Sequence, residues 1–155
     1  MQQQPASNIK ALSILHFSLL IGQIVFAAIG YYLVYSKSMG SINLGENAKF
    51  VVIGVAAIGL IMVTLSFSMY KKKLAALKDS TQPANEKLLA YRAASIIRWA
   101  MLEAPVLIAI VGFMLTGNYN LLVVTGVILL LFISTKPTAS KAAAELSISE
   151  SYLNT

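Results

Sequence analysis

Apolar residues along the chain gather into four blocks, at residues 11–35, 50–70, 93–115 and 119–135, with short polar segments between them. Each block is close to the ~20 residues that a helix needs to cross ~30 Å of hydrocarbon. Strands of a membrane barrel would be about half that length and would alternate apolar with polar positions. The pattern therefore predicts an all-α membrane protein with four transmembrane helices, built as a single domain over residues 1–155.

The polar segments punctuate the helices. The first eight residues read as a disordered lead-in, and turn chemistry at residues 39–41 and 43–45 marks a loop over 40–47. The second helix leaves the apolar block at Tyr70 but keeps good helix formers through Leu74, Ala75 and Leu77. Pro83 and its capping neighbours predict a turn at 79–85, followed by a third helix over 85–115. Such a helix is about 46 Å long, some 15 Å more than the hydrocarbon core. Helices 2 and 3 are therefore expected to project from the membrane as a short hairpin. A tight turn at 116–120 makes helices 3 and 4 antiparallel neighbours, and Lys136-Pro137 stops helix 4. Residues 140–146 can add a turn or two of helix to a tail, 136–155, that otherwise reads as flexible.

Composition agrees with the pattern: 57% of residues are hydrophobic, 12% are charged, and the mean hydropathy is +0.74. Lysine and arginine are distributed unevenly. The first loop has Lys37 and Lys49 in or beside it, the segment between helices 2 and 3 carries Lys71, Lys72, Lys73, Lys78, Lys87 and Arg92, the turn between helices 3 and 4 carries none, and the tail carries Lys136 and Lys141. By the positive-inside rule, both termini and the basic loop are cytoplasmic, in a multi-pass protein of a bacterial inner membrane. The formal charge of +6 follows from this asymmetry and points to anionic lipid headgroups as the partner of the basic loop, not to nucleic acid. Lys10 ahead of the first block and Val25-Phe26-Ala27 loosely resemble a secretory signal, but the apolar run continues to Tyr35, so the segment is expected to be an uncleaved anchor.

There is no cysteine and a single histidine, His16. Disulfides, thiolate metal sites and bis-histidine haem within one protomer are thereby excluded, and neither a metal nor a cofactor is expected.

The halves of the chain can be aligned. An offset of 82 sets Lys10 on Arg92, Ser13 on Ser95, His16 on Arg98, Phe17 on Trp99 and Gly30 on Gly112; an offset of 72 sets Gly54-Val55 on Gly126-Val127. This predicts a tandem duplication of a two-helix hairpin, with repeat 1 at about 9–78 and repeat 2 at about 85–146. Each unit has two spans, so the copies keep one orientation and are related by an axis along the membrane normal.

A few polar residues lie where they are costly. Glu103 is the only acid inside a span, and an acid at a helix centre costs about 2.5 to 3.5 kcal/mol on insertion scales. His16 on helix 1 is the expected interhelical partner. Arg98 lies five positions from Glu103, too far around the helix to share its face well. Pro105 frees the carbonyl of Met101 and predicts a kink just beyond Glu103. Gln23 lies near mid-bilayer on the face that carries His16 and Gly30, a stripe expected to pack against other helices. Trp99, Tyr31, Tyr32, Tyr35, Tyr70 and Tyr119 read as an interfacial aromatic belt.

The run Arg98-Trp99-Ala100-Met101-Leu102-Glu103-Ala104, followed by an apolar stretch and a short loop, resembles the carboxylate-bearing helix of the rotary ATPase proteolipid subunits. That likeness implies an ion-carrying role for Glu103. It covers about twenty residues, and the chain departs from the family in lacking a dense glycine repeat and in its long basic loop. Leu102-Glu103-Ala104-Pro105 and Lys136-Pro137-Thr138 also resemble stretches of uncharacterised small four-span bacterial membrane proteins, a likeness that implies no activity. One histidine and one intramembrane acid assemble no catalytic set. The sequence thus predicts a non-enzymatic accessory or structural subunit, homo-oligomeric or part of a larger membrane complex; the alternative is a proton or other ion channel or carrier using Glu103.

Overall fold

A computed structural model describes residues 5–38, 40, 42–150 and 153. Its elements are α1 (Pro5–Tyr35), a 3₁₀ turn (Gly45–Asn47), α2 (Ala48–Asp79), α3 (Ala84–Thr116), α4 (Asn120–Ser134) and α5 (Ala139–Leu146), with no strand among the described residues. Residues 1–4, Met39 and Ser41 lie outside this description, so the predicted lead-in is only partly covered; α1 opens six residues ahead of the apolar block, on Pro5. Proline suits a first helical position, because the amide it lacks would have no intrahelical acceptor there.

Three helices are long and apolar enough to cross a membrane, spanning Ile9–Tyr35, Gly45–Asp79 and Ala84–Thr116. A fourth crossing arises only if α4 and α5, bent by 75° at their junction, are taken together. At 1.5 Å per residue α3 is about 50 Å long and α4 only about 22 Å. The long helices α2 and α3 do extend past the apolar blocks as a hairpin and form the most extensive packed pair. Their turn is closed by Ser80 Oγ donating to Leu77 O (2.9 Å) and by Lys87 Nζ reaching Lys78 O (3.4 Å).

The opposite end is drawn together by short-range turn chemistry. Asn43 Oδ1 accepts from Gly45 N (3.0 Å), and Gly45 takes a left-handed φ of +51° that L side chains adopt only at a cost. Gly117 caps α3 in the same region of backbone space, φ +65°, donating to Phe113 O at 2.7 Å. The first loop is tied to this cap, since Ile42 N donates to Leu115 O at 2.7 Å.

α3 is the hub. It packs on α1, α2, α4 and α5, whereas α1 and α2 make at most a passing contact with each other. The most apolar windows of α1 and α2 are each 17% buried, against 39% for α3. The main core lies toward the basic end and includes Tyr91, Trp99, Leu102, Phe132 and Leu146. Small residues let the helices approach: a side chain at Gly59 would meet Ile128 Cδ1 at 3.1 Å and Pro105 Cβ at 3.8 Å, and one at Gly30 would meet Met114 Cγ at 3.1 Å. α3 runs through Pro105 as one continuous helix, with the buried ring turned toward Gly59 of α2.

The helix expected over 140–146 is present, but it is docked on the bundle rather than carried by a flexible tail. α5 is docked against α2 and α3, with Ala142 and Leu146 fully buried, and Leu153 beyond it is buried too. The spacing of Ala142, Ala143 and Leu146 supplies a narrow apolar stripe, and Thr138 Oγ1 accepts from Lys141 N (3.2 Å) as its N-cap.

Candidate functional site

Polar side chains from all five helices converge where α4 stops. The last carbonyls of any helix lack intrahelical partners and carry the negative end of its dipole. α4 ends on Ser134, short of the ends of its neighbours, so Phe132 O and Thr135 O are met inside the bundle and Ser134 O at its surface. The bundle supplies the donors from three directions. His16 Nε2 on α1 lies 3.0 Å from Phe132 O, which fixes it as the protonated ring nitrogen, and Thr135 Oγ1 donates to the same oxygen at 2.6 Å. Arg98 Nη2 on α3 donates to Thr135 O at 3.2 Å. Lys141 Nζ on α5 donates to Ser134 O at 3.1 Å.

Aromatic rings wall this knot. His16 stacks on Phe132 with centroids 4.6 Å apart and meets Trp99 edge-on at 4.9 Å. The Arg98 guanidinium carbon lies 3.7 Å over the centre of the Tyr70 ring, a close cation–π contact in a desolvated setting. Tyr70 in turn donates from its hydroxyl to Glu145 Oε2 on α5 at 2.8 Å, with the Tyr91 ring alongside at 6.3 Å. His16 is 3% exposed and Arg98 6%. Ser66 Oγ donates to Arg98 O at 3.4 Å, tying α2 to the same turn of α3.

The sequence-predicted residues are thus divided. His16 and Arg98 do come together, but around the end of α4 and not around Glu103. Glu103 is half-buried on α3 with neither a hydrogen bond nor a charged partner, so the expected His16–Glu103 contact is not formed. The physical reason is that the unpaired end of α4, at Phe132 O, lies within reach of His16 and claims its donor. Gln23 is buried as expected, yet neither amide atom has a partner. Of the residues read as an aromatic belt, Tyr31, Tyr32, Tyr35 and Tyr119 are exposed near the turn end, whereas Trp99 and Tyr70 are core residues. Among the described residues no cluster of three His, Asp or Glu side chains could hold a metal ion.

Sequence reading missed Thr135, Tyr70, Lys141 and Glu145 as members of this cluster. One signal was available: a fourth helix stopped by Lys136-Pro137 is too short for its neighbours, so its terminal carbonyls must be met by side chains at the depth of His16 and Arg98. Comparison of the chain with protein-family models, curated proteins and solved structures finds no match in any of the three.

Proposed function

We propose that the chain is a non-enzymatic accessory or structural subunit of a membrane complex or homo-oligomer, crossing the bilayer four times with α4 as the fourth crossing and α5 in the cytoplasmic tail. The observation that carries this reading is where the polar groups go. His16, Arg98, Lys141, Tyr70 and Glu145 all bond to the end of α4 or fasten α5. The long apolar faces of α1 and α2 are then available to lipid and to helices of a partner or a second copy.

We further take the hairpin to be duplicated, on the strength of the paired basic, serine, aromatic and glycine positions. His16 and Arg98, matched in that alignment, both donate to the end of α4. The halves differ in packing, α3 lying against α4 while α1 and α2 stand apart, so divergence after duplication accompanies the proposal. In this reading both termini and the basic α2–α3 turn face the cytoplasm, in the cytoplasmic membrane. Reporter tags before α1, between Lys71 and Lys87, and at the C-terminus should all report the cytoplasmic side. A tag found on the far side would overturn the orientation.

A second reading, an ion carrier, is favoured by one observation: Glu103 and Gln23 are intramembrane polar groups without partners. Glu103→Gln separates the two readings. The variant keeps shape and hydrogen-bonding capacity but cannot titrate. A structural subunit should keep its assembly and co-purifying chains, and wild-type proteoliposomes should show no flux across a pH gradient. Flux in the wild type that is lost in an intact Glu103→Gln protein would replace the accessory reading with the carrier.

A further inference from the structure

Between α2 and α3, at the basic end, lies a cleft of about 590 Å³ that opens sideways from the bundle. Its lining includes the apolar Met69, Ala93 and Ile97, together with Lys72 and Lys73. Arg98 lines its floor and is 94% buried on the 6% exposure of the whole residue; its Nη2 is committed to Thr135 O, while Nε is buried without a partner. No acidic side chain lines the cleft. The nearby acid of α5, Glu145, accepts the Tyr70 hydroxyl.

We propose that this cleft holds one anionic phospholipid of the leaflet at the basic end. An acyl chain lies along Met69 and Ile97 toward the membrane interior, and the phosphate is met by Lys72, Lys73 and the buried charge of Arg98. Two features select a lipid over a soluble anion. The lining is mostly apolar, which a free phosphate does not use, and Lys72 and Lys73 follow the end of an apolar block at Tyr70, at the depth where headgroups lie and where each lysine strengthens anionic-lipid attraction several-fold. The lysine stems can lie along the apolar lining while their ammonium groups reach the headgroup plane. The proposal rests on the membrane-embedded reading above and makes its diffuse basic surface into a defined site.

The test is lipid retention by the purified full chain in native mass spectrometry, with phosphatidylglycerol and phosphatidylcholine of identical chains added in turn. One phosphatidylglycerol per chain should be retained in clear preference to phosphatidylcholine. Lys72→Gln/Lys73→Gln should lose roughly tenfold of that retention, whereas Lys71→Gln/Lys78→Gln, which removes the same charge outside the cleft, should keep it. All four lysines are exposed, so both variants should fold. Equal loss in the two variants would mean diffuse surface attraction and would overturn the site. Equal retention of the two lipids, or full competition by millimolar inorganic phosphate, would overturn it as well. Failure of the underlying reading is visible separately, as release of the chain from membranes by alkaline carbonate.

Discussion

Replacing Arg98 with Ala should lower the stability of the detergent-solubilised protein by about 3 kcal/mol, seen as an earlier transition in denaturant titration. The two strongest contacts of Arg98 disappear, a hydrogen bond and a cation–π stack, along with a looser one over the Phe67 ring at 5.9 Å. A charge-assisted hydrogen bond is worth about 1.5–3 kcal/mol, and its loss leaves Thr135 O unpaired at the end of α4. The guanidinium stack on Tyr70 is worth about 2 kcal/mol where desolvated. The two share one side chain and do not add fully. Desolvating an arginine is itself costly, so an apolar replacement can sometimes recover what the charge supplied. Arg98→Met tests this directly: it keeps the stem that packs against α2 but leaves Thr135 O without its donor, so it should lie between Ala and the wild type. A change within about 0.5 kcal/mol for both variants would show that the guanidinium contributes nothing net to the closure of α4.

The parts of the fold that were legible in the sequence are those set by one strong effect. Apolar blocks near the length of the hydrocarbon core gave the long helices, because unsatisfied backbone in lipid leaves helix as the economical solution. Asn43, Gly45 and Gly117 marked their turns because left-handed backbone and side-chain-to-amide bonds favour few residue types. The site was less legible, since a helical position fixes the depth of a residue but not the neighbour it meets. Trp99 and Tyr70 stand near the ends of apolar blocks, and hydropathy cannot distinguish a ring facing headgroups from one facing the core. His16 was correctly read as an interhelical donor and given the wrong acceptor: attention to side-chain charge favoured Glu103, while the backbone of α4 offered a better-placed oxygen. The helix at 140–146 was legible, but its docking rests on two alanines and one leucine, too weak a stripe to reveal by composition that it is packed.

Leu146→Asp should release α5 while leaving α1 to α4 assembled. Leu146 is fully buried in the core shared with α2 and α3, and a carboxylate placed there without a partner would cost several kcal/mol. An eight-residue helix at the chain's edge has an inexpensive escape, because it can undock before the bundle unfolds. Undocking breaks the Tyr70–Glu145 bond and removes Lys141 from Ser134 O, but it leaves His16 on Phe132 O and Arg98 on Thr135 O, both outside α5. The expected result is therefore local. Trypsin should cut after Lys141 far faster than in the wild type, amides of residues 139–146 should exchange rapidly, and helices α1 to α4 should keep their protection. Leu146→Met, which conserves volume and apolarity, should stay within about 1.5 kcal/mol of the wild type and remain resistant. If Leu146→Asp resisted trypsin as well as the wild type did, α5 would not be held by its apolar stripe. If protection collapsed through α3 and α4 together, the end of α4 would depend on α5 and not on the donors of α1 and α3, and the three-sided closure described here would reduce to one side.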